Sequence, residues 1–245
     1  AGWSRGIWST SAESPRPRVA LFILVALRVG LPLFLRALYP PTAFDATLYH
    51  LPDARAFARA GSLPFLRDLR FPVFPQLDEV LFAAVLLLAG DISVHLVQLL
   101  AILGTAALLV AWGEGALSRR AGYLAAAAYL GSPIVIHLGT SAYVEAGLTL
   151  FTTAALYALW RYRQAEHARG WLVLAAVFGA SAAGVKYLGL FFLAATLIVA
   201  FSRPRRPSRL LLFTLVALAV LLPVYGRILY YTGNPVFPLF PAVFG

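Results

Sequence analysis

The stretch GWLVLAAVFGASAAGVKYLGLFFLAATLIVAFS, residues 170–202, decides how the rest of the chain is read. It holds one charged residue, Lys186, and is bracketed by Arg161, Arg163 and Arg169 before it and Arg203, Arg205, Arg206 and Arg209 after it. Short arginine-rich loops stay on the cytoplasmic side of a membrane, so an even number of crossings must separate the two clusters. Thirty-three residues are long for one crossing and short for two of about 20 each. The charge rule therefore predicts two short helices that turn at residues 184–187, with Lys186 at the far side of the membrane.

The same logic extends outward. The chain has 245 residues, 61% hydrophobic and 12% charged, with a mean hydropathy of +0.81. A soluble domain carries about 45–50% apolar and about 25% charged residues, so the composition excludes a soluble enzyme and indicates an all-α, polytopic membrane helix bundle. Cys is absent, which removes disulfides, thiolate metal sites and Cys nucleophiles. The four His are dispersed, with no local metal motif. Met is absent even at position 1, so the chain is expected to be part of a longer reading frame.

Seven crossings satisfy the charges: 19–38, 92–112, 121–138, 143–160, two within 170–202, and 210–229. Residues 1–18, rich in Ser, Pro and Arg, read as a disordered cytoplasmic lead to the 19–245 core. Residues 39–91 form a long outer loop and 230–245 a cut outer segment. Within the loop, 52–60 reads as an amphipathic helix with Leu51, Ala54, Phe57 and Ala58 toward the membrane and Asp53, Arg55 and Arg59 toward water. Residues 81–89 read as a second interfacial helix, because Pro72, Pro75, Asp78 and Glu79 spoil the start of that run. The inside tally is +9 and the remainder +1, so the net charge of +10 is a topology signal; nucleic acid is excluded as a partner.

The chemistry should lie in the loop and at the matching helix ends. Asp45 either caps a turn at 46–50 or serves as a general base at the membrane boundary. Tyr49 and His50 lie within about one helical turn of it; His50 reads equally as an ordinary interfacial histidine. Glu145, at the outer start of an apolar helix, either complements the positive helix end or is a functional buried acid. Lys186, the only Lys, suits an anionic phosphate; the alternative is a lysine snorkelling to the interface. Arg67 and Arg70 either add phosphate contacts or pair with Asp68 or a lipid headgroup. Asn234, in Gly233-Asn234-Pro235, either binds a sugar hydroxyl or builds a turn.

These residues carry a resemblance. Phe44-Asp45-Ala46-Thr47-Leu48-Tyr49-His50-Leu51-Pro52, Phe74-Pro75-Gln76-Leu77-Asp78-Glu79 with Gly90-Asp91, Tyr143-Val144-Glu145-Ala146-Gly147, Gly184-Val185-Lys186-Tyr187-Leu188-Gly189-Leu190 and Gly233-Asn234-Pro235-Val236-Phe237-Pro238 occur in the order met in GT-C-fold membrane glycosyltransferases. Over about residues 19–240 the chain resembles bacterial relatives of protein O-mannosyltransferases and of the aminoarabinose transferase of lipid A. It departs from them where many members have two adjacent acids: Asp45 is followed by Ala46. At Glu145 most relatives have Asp. They also carry further helices, so this chain looks like an N-terminal core. The resemblance implies sugar transfer from a polyprenyl-phosphate donor at the outer face of the cytoplasmic membrane, with inversion. Asp45 would be the base, Glu145 an orienting acid, Lys186 with Arg67 or Arg70 the phosphate site, and Tyr49, His50 and Asn234 substrate contacts. It leaves room for a divalent cation and does not identify the acceptor. A rival from another class is a transporter or flippase for an anionic lipid or solute, with Lys186 and Glu145 at mid-membrane depth.

Overall fold

Gly189 shows how the decisive stretch folds. In the computed structural model, a Cβ at this position would lie 2.1 Å from the Ala182 carbonyl oxygen, so only glycine lets the chain fold back on itself here. The two helices it joins are α8, Arg169–Val185, and α9, Leu188–Ala200. Lys186 sits between them in an extended conformation, φ −156° and ψ 147°. The expected break at 184–187 is therefore present.

The structure describes residues 30–165, 168–201 and 207–244. The expected lead at 1–18, the first part of the 19–38 crossing and Arg203, Arg205 and Arg206 lie outside the described residues. Among those described the fold is all-helical, with no strand. Short α1, Leu31–Ala37, is followed by a π-helical turn, Ala46–His50, that runs into α2, Leu51–Ala60. Then come α3, Leu77–Ala89; a 3₁₀ turn, Ile92–Val94, leading into α4, His95–Ala116; α5, Arg119–Leu130; and α6, Pro133–Gly139. Helix α7 spans Glu145–Gln164, α10 Pro207–Thr232 and α11 Pro241–Phe244. Helix α8 packs against α7, α9 and α10; α4 packs against α5 and α7; α2 lies on α3.

Among the described residues two helical runs, Ile92–Ala116 and Pro207–Thr232, are long and apolar enough to cross a membrane, and a third counts if α5 and α6 form one span. Those two meet at 70°, because Ser132 precedes Pro133 and is driven out of the helical region to ψ 124°. The expected 121–138 crossing is therefore bent rather than straight. The seven-crossing count goes beyond these two or three spans. Leu100, Leu124, Phe191, Ile198 and Leu222 stand exposed on the helices, as side chains that face lipid do.

The loop helices differ from expectation in two respects. Helix α3 begins at Leu77, four residues early, with Asp78 and Glu79 in its first turn, where the positive helix end favours acids. Helix α2 buries Leu51, Asp53, Ala54 and Phe57 together, so Asp53 is inside the protein rather than in water. Its apolar face meets α3 and not the membrane, because Phe57, Ala54 and Leu51 join one core with Phe82, Ala83, Leu148 and Val185. Gly61 ends α2 in the left-handed region, φ 57°.

Candidate active site

The π-helical turn sets the site. The Leu51 amide bonds to the Ala46 carbonyl, five residues back, and π-turns of this kind frequently occur at functional sites. Asp45 itself has helical dihedrals and makes no side-chain cap, so its carboxylate is not engaged with the helix end. The Tyr49 hydroxyl interacts with it instead. Burial raises the Tyr49 pKa, and the negative charges of Asp45, Glu145 and Glu79 raise it further, so Tyr49 stays a phenol that donates to Asp45.

One residue on, His50 Nδ1 lies 2.5 Å from Glu79 Oε1, and both side chains are buried. The pair bridges the π-turn and the first turn of α3. The neighbouring Asp78 is held from the other side: Gln98 of α4 donates to Asp78 Oδ2 at 2.9 Å and accepts from the Gly147 amide at 3.1 Å. A Cβ on Gly147 would lie 2.2 Å from that Asp78 oxygen, so the glycine two residues after Glu145 brings α3 against the start of α7. Glu145 Oε1 in turn accepts from Lys186 Nζ at 2.7 Å, both side chains remaining partly exposed. His50 is near enough to Glu145 to act on it electrostatically as well. Asp45, Tyr49, His50, Glu79, Glu145 and Lys186 thus form one electrostatic neighbourhood drawn from the loop, α3, α7 and the α8–α9 break.

A second chain of polar contacts ties the loop to α10. Gln76 donates to Asp53 Oδ2 at 2.6 Å and accepts from Arg227 Nη1 at 2.9 Å. Arg227 also donates to the Pro64 carbonyl at 3.2 Å and lies over the Phe57 ring. Burial pushes the Asp53 carboxyl up to about 7 against the opposing pull of the Gln76 hydrogen bond, and Asp78 up to about 8 against that of Gln98.

The remaining sequence-selected residues are distributed differently. Arg70 lies over Phe71, whose edge meets Tyr49 at 4.9 Å between centroids, which puts it on the Asp45 side. Arg67 lines a separate cavity of about 590 Å³ with Arg55 and Arg59 of α2 and with Asp68, and Arg55 pairs with Asp91. The Asn234 side chain is engaged in its own turn, donating to the Leu239 carbonyl at 2.8 Å and accepting from the Val236 amide at 2.9 Å. That turn docks beside the site, since the Tyr187 hydroxyl donates to the Phe237 carbonyl. Among the described residues, no three His, Asp or Glu side chains cluster as a metal site would require.

Sequence reasoning passed over Gln76, Asp78, Glu79, Gln98 and Arg227 as site residues. The signal was available at Arg227, the only charge within 210–229, where the rule that singled out Lys186 applies equally. Asp78 and Glu79 were visible too, but as interruptions of an apolar run rather than as partners of His50 and Gln98.

A sequence profile of the family described as dolichyl-phosphate-mannose-protein mannosyltransferase matches residues 79–229. An uncharacterized protein of Shigella flexneri is 42% identical over 83 residues, 34% of this chain and 39% of that protein. The match thus spans about two fifths of that relative's length. No solved structure matches the chain.

Proposed function

The chain belongs to the dolichyl-phosphate-mannose-protein mannosyltransferase family, a family of membrane glycosyltransferases, and on that premise we propose that it transfers a sugar from a polyprenyl-phosphate donor to an acceptor hydroxyl at the outer face of a bacterial cytoplasmic membrane. Lys186 holds the donor phosphate and stabilises the charge that grows on it as the bond from the anomeric carbon to the phosphate oxygen breaks. The acceptor oxygen attacks from the opposite side, inverting the centre, and its proton passes to Asp45. Tyr49 orients the Asp45 carboxylate. Glu145 neutralises Lys186 before the donor arrives and orients it afterwards. Arg70, across the Phe71 ring from Tyr49, adds positive potential; Arg67, in its separate cavity, takes no part in this reading. The acceptor is left open to protein, lipid or glycan hydroxyls.

The observation that carries the reading is the 2.7 Å Glu145–Lys186 pair lying within the same field as Tyr49 and Asp45. A lone, partly exposed lysine at a helix break, paired with a carboxylate, offers the positive charge that phosphate departure needs beside the acid that proton removal needs. No observation favours the transporter reading. The test is equilibrium binding of citronellyl phosphate, a short polyprenyl phosphate, to the full-length protein in lipid nanodiscs. Lys186→Ala is expected to weaken binding by about 10-fold or more, as loss of a charge-assisted contact does. Unchanged affinity would return Lys186 to a lipid-snorkelling role.

A further inference from the structure

The basic cavity of about 590 Å³ beside α2 is used by no step of the transfer reaction. One wall is a single face of α2, where Pro52, Arg55, Ala56 and Arg59 recur three and four positions apart. The other wall is the loop 65–69. That loop is pinned to the protein. Leu66 joins the core with Phe57, its amide donates to the Pro72 carbonyl at 3.0 Å, and the Leu69 amide donates to the Leu66 carbonyl at 3.0 Å. The turn so formed has Arg67 and Asp68 at its two central positions, both exposed and both lining the cavity.

Its depth follows from α10. That helix is long and apolar enough to cross a membrane, and its last turn holds Tyr230, Tyr231 and Thr232. Tyrosines gather where a spanning helix meets the lipid headgroups. Phe65, in the cavity wall, meets the Tyr231 ring at 5.5 Å between centroids, which puts the cavity at headgroup level. Leu63 and Phe71 flank the loop as exposed apolar side chains, a surface that a bilayer covers and water does not favour.

The charge of the walls selects the ligand. Arg55, Arg59 and Arg67 stand against Asp68 and against Asp91, which pairs with Arg55, so one unit of positive charge is left over. Among the described residues Arg59 and Arg67 have no hydrogen-bond or ion-pair partner. A guanidinium fork matches two phosphate oxygens at once. A phosphodiester of net charge −1 cancels the excess, and the apolar Phe65, Leu69 and Ala56 beside it suit the start of an acyl chain. A zwitterionic headgroup brings its own cation and leaves the excess unanswered. Free phosphate has no use for the apolar walls. We infer that this cavity binds the headgroup of an anionic phospholipid of the surrounding leaflet, with Arg59 and Arg67 donating to its phosphate. This lipid is distinct from the donor held at Lys186, and the inference does not depend on the transferase reading.

The measurement is native mass spectrometry of the full-length protein in detergent, titrated with phosphatidylglycerol or with phosphatidylcholine. The parent should bind one phosphatidylglycerol at least about 10-fold more tightly than phosphatidylcholine. Arg59→Gln with Arg67→Gln should lower phosphatidylglycerol affinity by about 10-fold or more, as loss of two cations facing an anionic headgroup does, and leave citronellyl phosphate affinity unchanged. Both side chains are exposed, so the unfolding temperature without added lipid should match the parent. Asp68→Asn removes the opposing acid and should tighten phosphatidylglycerol binding a few-fold, a gain that misfolding does not produce. Equal affinity of the parent for the two lipids overturns the inference, as does undiminished phosphatidylglycerol binding by the double variant. Displacement of phosphatidylglycerol by millimolar inorganic phosphate would make this a site for free anions and overturn the lipid assignment. Loss of citronellyl phosphate in place of phosphatidylglycerol would give the cavity to the donor and overturn it too. The Lys186→Ala result is read on citronellyl phosphate alone, so failure of the donor site is not confused with failure of this one.

Discussion

The two ends of α7 lie in opposite kinds of core. At its C-terminal end Ala158, Leu159 and Tyr162 pack with Leu172, Ala175, Ala176, Ala180, Phe213 and Ala217, where the small residues allow close helix approach. At its N-terminal end the buried set includes His50, Asp53, Gln76, Asp78, Glu79 and Gln98. Carboxylates are rarely fully buried unless paired, and half-satisfied ones cost stability. Here Asp53 Oδ1, Asp78 Oδ1 and Glu79 Oε2 have no hydrogen-bond partner. A bundle needing only to span a membrane has no use for such a set. The apolar end holds the helices together, and the polar end keeps its polar groups in fixed positions at a cost to stability.

Exchanging the kind of damage at each end tests this division. Glu79→Ala strips His50 of its partner and lets the π-turn shift, so sugar transfer should fall on the order of 10²-fold with the protein still folded. Leu172→Ala at the other end should cost about 2–5 kcal/mol of stability while turnover per folded molecule is kept. Steady-state transfer alongside thermal unfolding separates the two, and a reversal of the pattern would erase the distinction. Gly147→Ala comes next: its Cβ collides with Asp78. It should lower both stability and transfer, by more than an alanine at exposed Gly170, where the added carbon meets nothing.

The acids of the polar end also set a pH dependence. Asp53 and Asp78 have folded-state pKa values raised from 3.8 to about 7 and about 8. The folded protein therefore retains protons that the unfolded chain releases, and stability falls as pH rises from about 4 to about 8. Asp78→Asn should flatten that slope in unfolding midpoints measured across the range; an unchanged slope would deny that Asp78 is held protonated. The smallest effect belongs to the apolar end. Arg209 donates to the Tyr162 hydroxyl at 3.0 Å and lies over its ring, so Arg209→Gln should cost about 1 kcal/mol or less and leave transfer intact.

Much of this contrast could be read from residue types, and its limits have a physical cause. The α8–α9 break was legible because an isolated Lys between glycines interrupts an apolar run. Glu145 and Lys186 stand out as candidates for the same reason, a charge in apolar surroundings, and Asp45 by its place just past the first helix. The partners were not legible. His50 reaches Glu79 across 29 positions and Gln98 reaches Gly147 across 49, and no periodicity within one helix encodes such pairing. Asp53 was misread for a related reason. A carboxylate at a helical position looks solvent-facing until Gln76, supplied by a loop, and Arg227, supplied by α10, are brought to it. The 70° bend in 121–138 was marked by Gly131-Ser132-Pro133, whose effect on the helix outweighed the apolar length of the segment.

The most direct measurement is the transfer rate of Asp45→Asn in the full-length enzyme, assayed with saturating lipid-linked donor and matched for expression and unfolding temperature. The amide keeps the shape and the Tyr49 contact but removes the basic oxygen. Transfer should drop by about 10²–10⁴-fold, the usual contribution of a positioned base, with donor affinity unchanged. Turnover within a few-fold of the parent would contradict the assignment of proton removal to this end of the molecule.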